Sequence, residues 1–422
     1  MITASIITIG DELLIGQVTD TNSTWMGREL TAAGIQLKRR VAVGDNKDDI
    51  VKAMDNEKKE VDIVLLTGGL GPTSDDITKD VLCEYFNGKM TIHEQTLTHI
   101  RNLFEVVLKR QVLDSNLKQA EVPDICKVLT NSRGTAPGMW FEEAGKIFIS
   151  MPGVPHEMMG LMEDVILPSL KQHFTLPYIA HRTLLTIGAG ESFLAELIKS
   201  FEEELPDDVK LAYLPNFGQV RLRLSASGTD KQLINQQLDS LFTNLQTHVK
   251  DYLVTASDES MQEVVSRLLL ERQKTIATAE SCTGGYIAHL LTAKAGASAF
   301  FEGSIVSYSY KAKEKLLQVS TKTLQSYGAV SEQVVREMVA GTLKNLGTDY
   351  AIAVSGIMGP GGGMPAKPVG TVWIAVANKE QIVTKMFSLR SDRERNIQVT
   401  AVHALNMLRV FIIKEGKPDN SF

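Results

Sequence analysis

Thr278-Ala279-Glu280-Ser281-Cys282-Thr283-Gly284-Gly285 sets one hydroxyl on a sharp turn, between a strand-like run (Thr275 to Ala279) and two glycines that open a helix. A serine placed there sits beside a helix N-terminus, whose free backbone N–H groups can hold a developing oxyanion or a phosphate. Lys313 lies 32 positions on (313 − 281), and Tyr308 falls between them, in Val306-Ser307-Tyr308-Ser309-Tyr310-Lys311-Ala312-Lys313. Serine, lysine and tyrosine without a candidate histidine suit acyl transfer of the Ser–Lys type, in which the amine takes the hydroxyl proton. The same residues also suit an ordinary strand–turn–helix with a capping serine. Cys282 is a rival nucleophile, since sulfur is intrinsically the better one, although a small cysteine is often a packing choice. Glu280 is expected to hold the turn by hydrogen bonding, and His289 to pack on the helix that follows.

A second set of chemistry-bearing residues lies near the N-terminus, on three loops that each follow a strand-like run. They are Gly10-Asp11-Glu12-Leu13-Leu14-Ile15-Gly16, Thr67-Gly68-Gly69-Leu70-Gly71-Pro72-Thr73 with Ser74, Asp75 and Asp76, and Met151-Pro152-Gly153-Val154-Pro155-His156-Glu157. Closely spaced glycines let a backbone turn its N–H groups toward phosphate oxygens, and Thr73 and Ser74 add donors. Asp11, Glu12, Asp75, Asp76 and Glu157 could hold a hard divalent cation against a pyrophosphate, or each could be a helix-capping acid. Lys118 and Asn131 add polar loop residues, and Lys118 could pair with phosphate.

The elements that must position these residues follow from periodicity. Strand-like and helix-like runs alternate over residues 1–174, the pattern of a parallel α/β sheet with helices on both faces; such sheets bind ligands at the carboxyl ends of their strands. Residues 175–254 read β-α-β-β-α, a small ferredoxin-like α+β module. Residues 255–422 return to α/β, with Thr371–Ala377 and Ile382–Phe387 expected to pair.

The chain has 422 residues, a net charge of −6, and three scattered cysteines at positions 83, 126 and 282. About three domains are expected at ~150 residues each. The acidic balance argues against a role that depends on neutralising nucleic-acid phosphates, and the cysteine usage suits a reducing, cytoplasmic setting. The first strand follows directly on Met1 with no basic leader, and no apolar run approaches the ~20 residues of a membrane span.

Together the motifs resemble one family, the competence/damage-inducible CinA proteins. The three N-terminal loops resemble its molybdopterin-binding-like, three-layer α/β domain. Ala279-Glu280-Ser281-Cys282-Thr283-Gly284-Gly285, Gly328-Ala329-Val330-Ser331, Ser355-Gly356-Ile357-Met358-Gly359-Pro360 and Lys367-Pro368-Val369-Gly370-Thr371-Val372-Trp373 resemble its C-terminal nicotinamide-nucleotide amidase domain. Ile15 and Met358 stand where smaller residues are usual, and the last arginine cluster is thinner than in many relatives.

The resemblance implies a bifunctional pyridine-nucleotide salvage hydrolase, expected to be a homodimer. The C-terminal domain would deamidate nicotinamide mononucleotide (NMN) without a cofactor. Ser281, Tyr308 and Lys313 would be catalytic, with Glu280, Cys282, Thr283, Gly284, Gly285, Ser355, Gly356 and Gly359 around the substrate and Arg393 or Arg395 on its phosphate. The N-terminal domain would hydrolyse ADP-ribose with Mg, Mn or Co, using Gly68, Gly69, Leu70, Gly71, Pro72, Thr73, Lys118, Asn131, Gly153, Val154 and Pro155 to bind the nucleotide. Two other readings stand beside this one: a competence or DNA-damage accessory binding protein with a vestigial N-terminal pocket, and a pterin or nucleotidyl-transfer role for that pocket.

Overall fold

The computed structural model describes residues 2–73 and 75–415. They fall into two compact units, one drawn from residues 1–180 and 226–236, the other from 181–225 and 237–422.

The N-terminal sheet runs Gln36–Val43, Thr3–Ile9, Ile63–Thr67, Lys146–Met151, Gly138–Glu143, Lys127–Leu129. Its central strands Thr3–Ile9, Ile63–Thr67 and Lys146–Met151 are buried on both faces because apolar side chains alternate between two cores. Ala4, Ile6, Ile63 and Leu65 enter one cluster, and Ile7, Ile9, Val64 and Leu66 the other. Thr3–Ile9, Ile63–Thr67 and Lys146–Met151 are parallel and in register, Thr8 beside Thr67 and Thr67 beside Met151. The three loops singled out from the sequence therefore leave the same sheet edge side by side.

The sheet is mixed rather than wholly parallel, since Gly138–Glu143 runs antiparallel to both its neighbours, Lys127–Leu129 and Lys146–Met151. The hairpin that joins Gly138–Glu143 to Lys146–Met151 is Glu143-Ala144-Gly145-Lys146, with Ala144 and Gly145 both at positive φ, 50° and 76°. That backbone usually takes Asn-Gly or Asp-Gly, so an alanine in the first place hid the turn.

The middle segment forms a four-stranded sheet ordered Val209–Asn216, Gln219–Gly228, Tyr178–Ile187, Leu253–Thr255, with helices Glu191–Leu197, Lys199–Glu203 and Lys231–His248. This is the ferredoxin-like order, and Leu253–Thr255 supplies the strand that completes it.

The C-terminal sheet runs Phe301–Val306, Ile276–Glu280, Tyr350–Gly356, Thr371–Ala377, Ile382–Ser388. The first three strands are parallel, and Glu280 pairs with both Val306 and Val354. Ser281, Ser307 and Ser355 thus emerge together at one edge. Ile276, Ile352 and Val354 fill one core, and Ala279, Ala351 and Ala353 the other. Among the described residues one helix, Arg393–Lys414, is long and apolar enough to cross a membrane. Ten of its residues are buried in the domain core, among them Leu405, Leu408 and Phe411.

Candidate functional site

Ser281 follows the strand Ile276–Glu280, with its backbone N–H bonded to Val354 O at 3.2 Å. Lys313 comes from the helix Tyr310–Leu317, whose N-cap Ser309 accepts from Ala312 N–H. Lys313 Nζ lies 2.8 Å from Ser281 Oγ, 2.7 Å from Ser307 O and 3.3 Å from Tyr308 O. The lysine is fully buried (0% exposed). Burial pulls its pKa from 10.5 down to about 8, because desolvation disfavours the ammonium. A neutral amine has two hydrogens and one lone pair. The two carbonyls accept those hydrogens, and the lone pair is left for the serine proton.

Glu280 shapes the turn. Its carboxylate is fully buried and accepts from Gly285, Ile287 and Ala288 N–H at 2.8–3.0 Å, and from the hydroxyls of Thr283 at 2.7 Å and Thr278 at 3.2 Å. The helix begins at Tyr286, behind Gly285 at φ 101°. Its free N–H groups are therefore capped by Glu280 and not open to a ligand, which corrects the expectation that this helix terminus faces the substrate. The donors that remain are in the turn: Cys282 and Thr283 N–H have no acceptor among the described residues.

Cys282 is buried, and burial pushes its thiol up to about 12. A thiol with that pKa stays protonated at neutral pH and is a poor nucleophile. Its Sγ lies 3.2 Å from where a Cβ on Gly356 would be, and Val372 Cγ2 only 2.8 Å, so both residues are set by close packing. Cys282→Ala is expected to keep at least about a third of any serine-dependent turnover, measured beside the unaltered protein. Loss of turnover with the fold intact would favour the thiol.

Tyr308 orients the lysine through its backbone carbonyl. Its side chain is 63% exposed, and its hydroxyl accepts from Arg393 Nη2 at 3.2 Å, so it is the carbonyl and not the phenol of Tyr308 that meets Lys313. Arg393 also donates to Gly359 O at 2.9 Å, which places the guanidinium over the Gly359 loop. Arg395 is two residues on, where side chains of a helix do not share a face; its N–H caps onto Asp392 and its side chain is exposed. Ser355 is buried and donates to Ala329 O at 2.8 Å, tying the strand end to the Gly328–Ser331 loop. Asn396, absent from the sequence reading, is fully buried and donates to Met358 O at 3.2 Å, steadying the Gly359 loop. Gly284 shares the nucleophile turn, at φ 61°.

In the first unit the three loops enclose a cavity of about 380 Å³ lined by Gly68, Gly69, Leu70, Gly71, Pro72, Gly153 and Val154. Gly68 must be glycine, since at φ 115° a Cβ would stand 2.2 Å from Ile9 O. Asn22 Nδ2 donates to Gly153 O at 2.8 Å and Thr67 Oγ1 to Pro152 O at 2.9 Å, fastening two loops together. Pro155 starts the helix Pro155–Leu161.

The five candidate carboxylates are not gathered into one cluster; among the described residues no three metal-ligating side chains converge. Asp76 accepts from Thr73 N–H at 2.9 Å and from its hydroxyl. Glu157 accepts from Asn131 Nδ2 at 2.7 Å, and its burial raises its pKa. Asp11 accepts from Asp45 N–H at 3.2 Å. Asp45, missed in the sequence, lines the cavity with Glu12 and Asp75. Its pKa is raised by burial and by the negative charges of Asp11, Glu12 and Asp75. Uncompensated negative charge therefore collects at this mouth. Lys118 does not line the cavity; its carbonyl accepts from Lys79 Nζ, and the neighbouring Gln119 faces the cavity instead. Ser74 lies outside the described residues.

Three family models match in order. They are the "Probable molybdopterin binding domain" over residues 5–172, the damage-inducible protein CinA KH domain over 181–255, and the CinA C-terminal domain over 258–412. A CinA-like protein from Cytophaga hutchinsonii is 47% identical over 96% of this chain and 97% of its own. Another from Flavobacterium psychrophilum is 43% identical over 97% and 99%. The crystal structure of a competence-damaged protein (CinA) superfamily protein from Klebsiella pneumoniae is 39% identical, covers 37% of this chain and 99% of its own, and has a TM-score of 0.36.

Proposed function

Because the chain belongs to the CinA family, we propose that its C-terminal domain hydrolyses NMN to nicotinate mononucleotide and ammonia. The observation that carries this reading is the buried 2.8 Å contact between Lys313 Nζ and Ser281 Oγ. With a pKa of about 8, roughly a tenth of the lysine is neutral at pH 7. Lys313 Nζ takes the serine proton as Oγ bonds to the carboxamide carbon. Cys282 and Thr283 N–H hold the resulting oxyanion. Lys313 returns the proton to the amide nitrogen, the C–N bond breaks and ammonia leaves. Water then attacks the acyl ester with Lys313 again the base, releasing the carboxylate and restoring Ser281. The test is ammonia release from NMN by the purified full-length protein; no release under conditions where it is folded contradicts the reading.

Arg393 is the group assigned to the substrate phosphate, anchored by Tyr308 and Gly359. Tyr308→Phe is expected to leave kcat within about threefold and raise KM several-fold, because only the arginine's anchor is lost. A collapse of kcat with KM unchanged would return the phenol to the proton path.

For the N-terminal domain we propose hydrolysis of ADP-ribose to AMP and ribose 5-phosphate. Gly69 and Gly71 N–H groups would receive the pyrophosphate, the Gly68 N–H being held by Met151 O at 3.1 Å. Hard oxygen donors and unbalanced negative charge fit a divalent cation. Because no three metal-ligating side chains converge among the described residues, Mg, Mn or Co would rest mainly on substrate oxygens, with one or two of the mouth carboxylates Glu12, Asp45 and Asp75 beside them, and would neutralise charge on the leaving phosphate. A small-molecule role is also favoured by the middle domain. The turn between its two short helices is Glu196-Leu197-Ile198-Lys199, without the glycine pair by which a KH loop clamps a nucleic-acid backbone.

A further inference from the structure

The hairpin between Val209–Asn216 and Gln219–Gly228 turns on Phe217 and Gly218, both at positive φ, 45° and 78°. Such a turn favours asparagine or aspartate followed by glycine. Gly218 meets that preference and Phe217 opposes it, because the Cβ of a bulky residue crowds its own backbone in the left-handed region. Contacts outside the hairpin offset the strain. Phe217 is half-buried against the core cluster of the C-terminal domain, which also takes in Ile187 from the middle sheet. With Tyr286, Leu290, Gln398 and Val402 it lines a cavity of about 280 Å³. A Cβ on Gly218 would stand 3.9 Å from Val399 Cγ1. These residues lie on two helices that start at the amidase-like site. Tyr286 opens the helix that follows the Ser281 turn, and Gln398, Val399 and Val402 lie on the helix that begins with Arg393. Val399 is six residues beyond Arg393 (399 − 393), a rise of about 9 Å.

We infer that Phe217 is a positioning residue for the amidase-like site, a ring by which the middle domain steadies the Arg393 helix; the inference rests on the NMN reading of that site. The two helices do not need it equally. Glu280 fixes the Ser281 turn from within, through Gly285, Ile287 and Ala288 N–H. The first turn of the other helix is tied through Asn396 to Met358 O and Ser391 O, and Arg393 itself donates to Gly359 O. Helix turn and glycine loop are thus joined mainly to each other. Thr400 and Ala401 are buried in the core, whereas Gln398 and Val399 are half-buried on the side that the hairpin covers. Loss of the ring is therefore expected to weaken phosphate binding more than the chemical step.

Phe217→Asn separates the ring from the turn, since asparagine suits this turn better than phenylalanine. Hydrogen exchange of the full-length protein reads the docking without turnover. Amides of residues 393–402 are expected to exchange at least about threefold faster in the variant, with those of 209–228 unchanged or slower. KM for NMN should rise about fivefold with kcat within about twofold. Phe217→Tyr, which keeps the ring, should behave as the unaltered protein. Leu238→Ala opens a cavity in the middle domain outside the shared cluster, and should leave KM unchanged. If exchange rises over 209–228 as well, Phe217→Gly, which the turn also accepts, is measured in its place. Unchanged exchange at 393–402, an unchanged KM, or an equal rise of KM in Leu238→Ala overturns the inference. If the unaltered protein releases no ammonia from NMN, the amidase reading falls and takes the positioning role with it, while exchange still decides whether the ring docks.

Discussion

Ser281→Ala is expected to lower ammonia release from NMN by roughly four orders of magnitude, with no change in thermal unfolding beyond about 2 °C. The chemical part rests on the absence of a substitute. Cys282 is the adjacent side chain, and its thiol, pushed up to about 12, stays protonated. Thr283 has its hydroxyl committed to Glu280 at 2.7 Å. The structural part rests on the backbone. Ser281 N–H still reaches Val354 O and Gly284 N–H still reaches Ser281 O, at 3.2 Å each; the five bonds to Glu280 also remain. A coupled ammonia assay beside circular dichroism measures both. Full turnover in the variant would remove Ser281 from the mechanism.

Lys313→Met is expected to be inactive and yet more stable at neutral pH. The lysine stem is fully buried, so methionine can occupy much of its volume. Its folded pKa of about 8 lies below the ordinary 10.5. At pH 7 the ammonium is therefore held where it is disfavoured, at a cost of order 3 kcal/mol. Methionine removes that cost but leaves Ser307 O and Tyr308 O without a donor, at about 1 kcal/mol each, so a net gain of about 1 kcal/mol is expected. The sign with pH follows from proton counts. Between about 8 and 10.5 the unfolded chain holds this proton and the folded one does not, so the unaltered protein gains stability as pH rises. The variant lacks that gain, and its advantage at pH 7 should be lost by pH 10. Urea midpoints at the two pH values measure this. A variant less stable by the same amount at both would mean that the buried amine carries no charge penalty.

Much of the amidase-like site is legible in the sequence, because a strand, a turn hydroxyl and paired glycines are local signals. Ser281 and Lys313 meet because Glu280 pairs in register with Val306, which brings the ends of two strands together. What the sequence conceals depends on three-dimensional direction. Glu280 could be placed on the turn, but its caps onto Ile287 and Ala288 exist only once the chain has bent back. Tyr308 was read by its phenol, whereas its carbonyl does the orienting. Lys118 and Gln119 are adjacent letters, and only burial separates the one facing the cavity from the one that does not. Asp45 follows a strand with no glycine-rich signature, so nothing local marked it. The same holds for the antiparallel strand Gly138–Glu143, whose hairpin turn begins with alanine.

The pH dependence of kcat/KM for ammonia release by the unaltered full-length protein bears most directly on Lys313 acting as the base for Ser281. With the lysine pKa at about 8, the rate should climb close to tenfold per pH unit below that value and level off above it. A profile that is flat from pH 6 to 10, or that breaks near the ordinary histidine value of about 6.5, would contradict it.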